Sequence, residues 1–242
     1  LLEIQGETLL ERALNLLISN GVEEVCINIH HLSDQIREYL SKFKSKANIE
    51  ISSEEDLLLD TGGGAEKATK EFKKNPFFII NPDTLWSDKY YKEVQFLEKV
   101  YIENKKPCLL LVKKDLSLDK SFKGDFNLDG KLVSKDENNK YIFTGLQIIT
   151  RDSLNLINKK VFSMNEVWNK LINEKNIIQT IHLIERHRYN PTTLLLLLGH
   201  FLTTTSLRLR FLRRYLCDRQ KIVALGYFLL KFRLKILKIY TT

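Results

Sequence analysis

Apolar residues recur along this chain first at helical and then at strand spacing, and the alternation sets the expected fold. Between Thr8 and Ser19, the residues Leu9, Leu10, Ala13, Leu14, Leu16 and Leu17 fall on one face of a helix, and Asn20-Gly21 supplies a C-terminal stop. Val25 to Ile29 is a short buried-strand run, after which Ser33 is expected to cap a helix from Asp34 to Phe43 with Ile36, Tyr39 and Leu40 inward. Ile49-Glu50-Ile51 alternates as a strand. A helix from Glu66 to Phe72, a buried strand from Phe77 to Ile80, a helix from Tyr90 to Asn104 and a strand from Cys108 to Val112 follow. Over this stretch no hairpin signal interrupts the alternation, which predicts parallel strands with crossover helices in a doubly wound α/β sheet. Asp129-Gly130 then marks a hairpin, Tyr141 to Ile149 a strand, and Val161 to Asn173 a helix with Phe162, Val167, Trp168, Leu171 and Ile172 inward. Gly145 inside its strand predicts a bulge or a close backbone approach.

Charge changes this picture only toward the end of the chain. The net charge is +8, but residues 185–242 hold twelve Lys and Arg against Glu185 and Asp218, leaving 26 basic and 28 acidic residues elsewhere. No nucleic-acid partner is expected, because the positive charge is confined to one segment that lacks an aromatic platform. That segment is rich in Leu, Arg and Thr, as in Leu194 to Leu198 and Leu207-Arg208-Leu209-Arg210. Three readings stay open for it: an amphipathic membrane-surface element, a partner-binding helix pair, or sequence foreign to the domain through a shifted frame or fusion. Cys26, Cys108 and Cys217 form neither a C-x-x-C pair nor a disulfide framework, and no signal peptide opens the chain. With no apolar run of the ~18 residues a membrane span needs, a cytoplasmic protein is expected.

Two stretches carry candidate chemistry. The run Leu57-Leu58-Leu59-Asp60-Thr61-Gly62-Gly63-Gly64 contains three residues without Cβ, so a flexible turn is expected whose N–H groups a base or ribose can approach closely. The strand Phe77 to Ile80 ends in Asn81-Pro82-Asp83, and an acid at a strand's carboxyl end sits where open α/β sheets bind ligands. His30 and His31 are adjacent and point opposite ways, with no ligand-spaced Cys or carboxylate nearby, so one of them is expected to pack or cap rather than bind a transition metal. Glu166 reads as a solvated surface acid rather than a sugar ligand, and Cys26 as a small structural hydrophobe.

The order Leu1-Leu2-Glu3-Ile4-Gln5-Gly6, Asn28-Ile29-His30-His31-Leu32, Asp60 to Gly64, Asn81-Pro82-Asp83, Gly124-Asp125-Phe126 and Phe143-Thr144-Gly145 resembles the sugar-1-phosphate nucleotidyltransferases. Within that superfamily it is most similar to the N-acetylmuramic acid 1-phosphate uridylyltransferases, often labelled mannose-1-phosphate guanylyltransferase-like. The resemblance spans residues 1–178, the expected nucleotidyltransferase-like domain, and leaves residues 179–242 as a basic Leu/Arg-rich tail. It implies a Rossmann-like, mostly parallel sheet with flanking helices, of the nucleotide-diphospho-sugar transferase type. It also implies attack of a sugar 1-phosphate on the α-phosphorus of a nucleoside triphosphate, UTP in the first instance, with pyrophosphate released. By the same resemblance Asp83 is the catalytic aspartate that holds Mg²⁺. Thr61, Gly62, Gly63 and Gly64 lie against the nucleotide, and Asn81, Asp125 and Gly145 lie near the sugar. Pro82 stands where the family usually has Gly, which removes a donor N–H.

In the family, a strand and a G-x-G-T-R loop that cradles the triphosphate, followed by Lys-Pro, precede the segment matching Leu1-Leu2. A closing Val-Gly-Thr-Pro segment brings a second metal carboxylate. Neither has a match here, so the expectation is a domain lacking its first strand, with the tail poorly packed and the activity crippled. The alternative is a non-catalytic module that binds a nucleotide sugar or uses its tail for a membrane or partner.

Overall fold

The computed structural model describes residues 1–72, 75–117 and 123–181. The basic segment and the readings attached to it lie outside these. Strands β1 (Glu3–Ile4) and β2 (Glu7–Thr8) form a hairpin around Gln5-Gly6, where both residues take positive φ. Thr8 then starts α1 (Leu9–Ser19), its Oγ1 accepting the Glu11 N–H at 3.0 Å, and Gly21 at φ +85° follows the helix end. The predicted stripe is buried through Ala13, Leu14, Leu16 and Leu17.

Strands β3 (Glu24–Ile29) and β4 (Asn48–Ser53) pair in parallel through the crossover helix α2 (Ser33–Lys42). Ser33 does not cap this helix. Leu32, in the left-handed region at φ 53°, is the N-cap residue and makes no side-chain cap bond, so Ser33 is the first helical residue. The glycine run is not a turn either. It forms the start of α3 (Asp60–Thr69), six residues before the predicted helix start.

Beyond α3 come β5 (Phe77–Ile80), α4 (Tyr91–Asn104), β6 (Cys108–Lys113), the hairpin β7 (Asn127–Asp129) and β8 (Leu132–Ser134), then β9 (Tyr141–Ile149), α5 (Arg151–Leu154), α6 (Met164–Asn173) and β10 (Ile178–Ile181). The six-stranded sheet has the order β5-β9-β6-β10-β8-β7. Both β5 and β6 run antiparallel to β9, and β10 runs parallel to β6, so β5, β6 and β10 share one direction. The α/β class read from the alternation is therefore the one the chain adopts, with β9 and β8 running in the opposite sense and the parallel pair β3-β4 forming a sheet of its own. The direction of β9 follows from where the chain re-enters: Lys114, just past β6, donates its N–H to the Lys140 carbonyl at 2.8 Å, so Tyr141 starts at the carboxyl edge and runs back.

Alternation along the strands distributes side chains to two cores. Leu109, Leu111 and Ile149 pack with Ala65, Leu154, Val167, Trp168 and Leu171 on one face, while Cys108, Leu110, Leu146 and Ile148 pack with Ala13, Leu16, Leu17, Val94 and Leu97 on the other. Covering both faces explains why β6 reads as a continuous apolar run. Burial pushes the Cys108 thiol up to about 12, which leaves it inert as a nucleophile. Among the described residues no helix is long and apolar enough to cross a membrane.

Candidate functional site

The carboxyl end of β5 is tied down residue by residue. Asn81 donates its N–H to the Gly145 carbonyl at 2.8 Å and accepts at its own carbonyl the indole N–H of the fully buried Trp86, also at 2.8 Å. Thr84 Oγ1 donates to the Thr144 carbonyl at 3.0 Å, and Thr144 Oγ1 to the Leu110 carbonyl at 2.9 Å. Asp83 is half-buried within this pinned loop. Gly145 has φ +94°, and a Cβ there would stand 2.9 Å from Asn81 Cβ, so the strand glycine serves a close approach by the chain itself. The β6–β9 register shifts between Leu109 and Leu111, the irregularity predicted for this stretch.

Two residues back along β9, the Phe143 N–H donates to Asp125 Oδ2 at 2.8 Å, and the Asp125 N–H reaches the Tyr141 carbonyl at 2.7 Å. These bonds place Asp125 beside a cavity of about 400 Å³ lined by Asp125, Lys135, Asn139, Phe143, Asn165 and Trp168. Lys135 Nζ donates to Asn169 Oδ1 at 3.1 Å and Asn165 Oδ1 at 3.3 Å, and stands 4.9 Å from the Phe126 ring centre and 6.0 Å from that of Trp168. Burial pulls the Lys135 pKa below its ordinary value, against the opposing pull of the nearby Asp125 charge. Trp168 is oriented by its indole N–H, which donates to the buried Gln147 Oε1 at 2.9 Å, and by edge contacts to Phe126 and Phe143. A cavity of this size, with an aromatic wall and a few converging polar groups, suits a small hydroxylated ligand. The role of Lys135 escaped sequence reasoning because only folding sets the end of β8 against α6; Trp168 was legible as an inward residue.

The glycine helix is arranged differently. Gly62 and Gly63 both donate their N–H to the Phe162 carbonyl, at 2.9 and 3.0 Å. A Cβ on Gly62 would strike the Phe162 ring, one on Gly63 the Lys160 carbonyl, and one on Gly64 would lie 2.5 Å from Glu54 Oε1 and 2.6 Å from Asn28 Nδ2. Thr61 Oγ1 accepts the Met164 N–H at 2.9 Å, although Thr61 is otherwise exposed. The expectation of a flexible turn with open N–H groups is thus corrected: the close partner of Gly62 and Gly63 is the chain's own backbone. His30 Nδ1 donates to the Glu54 carbonyl at 2.9 Å, fixing its tautomer. Glu166 is paired with Lys159 at 2.6 Å near the surface.

The structure therefore brings Asn81, Asp83, Asp125 and Gly145 to one sheet edge and holds Thr61, Gly62 and Gly63 against residues 160–164, with Gly64 against Glu54 and Asn28. The start of α6 lies between these two groups, with the Met164 N–H on Thr61 and Asn165 lining, with Lys135, the cavity beside Asp125. Among the described residues no group of three or more His, Cys, Asp or Glu could hold a metal ion. A cation at Asp83 would take one carboxylate from the described protein and its remaining oxygens from a ligand, a donor set that fits Mg²⁺ with phosphates.

No protein-family model matches the chain. Over 183 residues, which are 71% of this chain and 74% of the relative, it is 28% identical to the N-acetylmuramate alpha-1-phosphate uridylyltransferase of Caulobacter vibrioides. HddC from Yersinia pseudotuberculosis complexed with GMP-PN superposes with a TM-score of 0.60 at 17% identity, over 83% of this chain and 88% of that one. UDP-glucose pyrophosphorylase complexed with UDP-glucose gives a TM-score of 0.60 at 12% identity, over 83% of this chain and 89% of that one. The inositol-1-phosphate CTP transferase from T. maritima gives 0.59 at 14% identity, over 74% and 75%. At these identities the solved structures show the fold, that of the nucleotide-diphospho-sugar transferases. The sequence match adds the resemblance to sugar-1-phosphate nucleotidyltransferases, a family of transferases.

Proposed function

We propose that this chain transfers a nucleotidyl group, uridylyl in the first instance, from a nucleoside triphosphate to a sugar 1-phosphate, giving a nucleotide sugar and pyrophosphate. The observation that carries the reading is the sheet edge on which Asp83 shares a pinned loop with Asn81, next to Gly145, while Asp125 opens onto a monosaccharide-sized cavity. The curated relative's uridylyltransferase name supports the choice of base, and its N-acetylmuramate 1-phosphate the kind of sugar.

In this reading Asn81, Asp125 and the Gly145 backbone select sugar hydroxyls, and the Lys135 ammonium faces an anionic part of the sugar phosphate. The nucleotide rests against the first turn of α3 at Thr61, where Gly62 and Gly63 keep the helix close to residues 160–162 and Gly64 leaves room for Glu54 and Asn28. Asp83 would hold Mg²⁺, which when bound neutralises phosphate charge. The phosphate oxygen of the sugar attacks the α-phosphorus and the bond to pyrophosphate breaks. The chain's own part is to orient these groups in line and to keep them from sliding along the edge.

The test is pyrophosphate release with UTP, GTP and CTP against a panel of sugar 1-phosphates that includes N-acetylmuramate α-1-phosphate. Turnover with UTP and one or two sugars is the expected outcome. Nucleotide-sugar binding with no turnover on any pair would replace the enzyme by a binding module.

A further inference from the structure

Glu54, one residue past β4, is a carboxylate the proposed chemistry does not use, yet it is only 6% exposed and makes no ion pair among the described residues. Its Oε1 accepts the Asn28 Nδ2–H at 2.8 Å and its Oε2 accepts the Leu59 N–H at 3.0 Å. Its backbone is bound as well, the N–H donating to the Ile29 carbonyl at 2.8 Å and the carbonyl accepting from Leu57 N–H at 3.2 Å and His30 Nδ1 at 2.9 Å. One residue thus joins the ends of β3 and β4, the loop 55–59 and the N-cap residue of α3. Gly64 leaves it room, since a Cβ there would stand 2.5 Å from the carboxylate.

A buried carboxylate without a cation is costly for the fold, and an apolar side chain would fill the same space at lower cost. What the carboxylate supplies is direction: Leu59 is the residue before Asp60, which is held at φ +62°, a left-handed conformation that an L-residue adopts under constraint. The Asp60 carboxylate then accepts from the Thr61 N–H at 2.5 Å and from Thr61 Oγ1 at 3.2 Å. Strained Asp60 and exposed Thr61 open the glycine helix, and Glu54 is anchored to Leu59 just before them and against Gly64 just after.

We propose that Glu54 is a positioning residue that holds Leu59 and, through it, the strained Asp60 and the neighbouring Thr61 at the start of α3 in the orientation that receives the nucleobase. This rests on the nucleotidyltransferase reading. Glu54→Gln keeps an oxygen for the Leu59 N–H, with the Asn28 amide turned over to accept. Glu54→Asp keeps the charge but is one methylene too short to reach. Binding of UTP and of a sugar 1-phosphate would be measured separately by calorimetry on the full chain with Mg²⁺, alongside the unfolding midpoint.

The expected result is a UTP dissociation constant at least tenfold higher in Glu54→Asp, recovery to within about threefold of wild type in Glu54→Gln, and sugar 1-phosphate affinity within twofold throughout. Equal losses for both ligands, tracking the unfolding midpoint, would reduce Glu54 to a fold residue and overturn the proposal. Unchanged UTP affinity in Glu54→Asp would overturn it too. Wild-type protein that binds no nucleoside triphosphate would instead overturn the nucleotidyltransferase reading, and the base-positioning role with it.

Discussion

The loop after β5 and the first turns of α3 both read as nucleotide-site signals in the sequence, and the structure treats them in opposite ways. At the β5–β9 edge the backbone is satisfied by its neighbours, while the side chains of Asp125 and Lys135 are turned toward a cavity. In α3 the glycines are spent on the protein itself: the Gly62 and Gly63 N–H groups bind the Phe162 carbonyl and their bare Cα atoms let residues 160–162 lie against the helix, while Gly64 makes room for Glu54 and Asn28. The edge turns side chains toward a cavity as well as toward the fold, whereas the glycines of the helix serve the fold alone. Substitutions should therefore separate the two regions, with activity falling first in one and stability falling first in the other.

The largest effect is expected at Asp83. Replacing it with Ala should cut nucleotidyl transfer by ~10²–10³-fold, the usual loss when one fixed electrostatic contact to a reacting phosphate is removed. The unfolding midpoint, measured alongside, separates this loss of turnover from a loss of fold. If turnover survived in the Ala variant, the metal role assigned to this carboxylate would be wrong, and with it the contrast between the two regions.

Gly63→Ala probes the other side. In an open helix the change would stabilise by about 1 kcal/mol through helix propensity. Here the new methyl meets the Lys160 carbonyl, a backbone atom that cannot swing aside. Overpacking of this kind costs about 1–3 kcal/mol, so a net loss of ~1–2 kcal/mol in denaturant unfolding is expected. A neutral or stabilising outcome would restore the flexible-turn picture of this run.

How far the sequence could be read follows from how local each cause is. The stripe of α1, the two-faced run of β6, the Asp129-Gly130 hairpin and the placement of Asp83 after a strand all depend on residues within one element, and all were legible. The partner of Gly62 and Gly63 is Phe162, about a hundred positions further on, and that of Gly64 is Glu54 and Asn28, so the three glycines that signal close approach could not say what approaches. Lys135 is a single basic residue after a three-residue strand, and its place between Asn165, Asn169 and two aromatic rings exists only once α6 docks. The direction of β9 was hidden for a similar reason, since alternation shows the strand but not the edge at which it re-enters.

Trp168 stands between the two behaviours, because it walls the cavity while its indole N–H satisfies Gln147, which is only 2% exposed. Trp168→Phe keeps an aromatic wall but leaves the Gln147 oxygen without that donor, which should cost about 1–2 kcal/mol of stability. Sugar 1-phosphate affinity should weaken as well, so this variant alone is expected to lose both properties. Unfolding that matched wild type would mean the Gln147 oxygen finds another donor and that Trp168 belongs wholly to the cavity.

The smallest expected effect is also the sharpest test of whether the Lys135 ammonium at the edge serves the cavity or the fold. Burial lowers the pKa of Lys135 in the folded protein below the ordinary 10.5, so between those two values the unfolded chain binds more protons than the folded one. Folded stability from this residue is therefore least below the folded pKa and is recovered as pH rises toward 10.5. In Lys135→Met no such titration occurs. The unfolding free energy of wild type minus that of the variant should rise with pH across this window, modestly because the side chain is partly solvated. A constant shift at every pH would reflect only the lost amide and ring contacts, and a difference that falls with rising pH would mean the ammonium is stabilised where it stands, making Lys135 a structural cation like those of the fold's ion pairs.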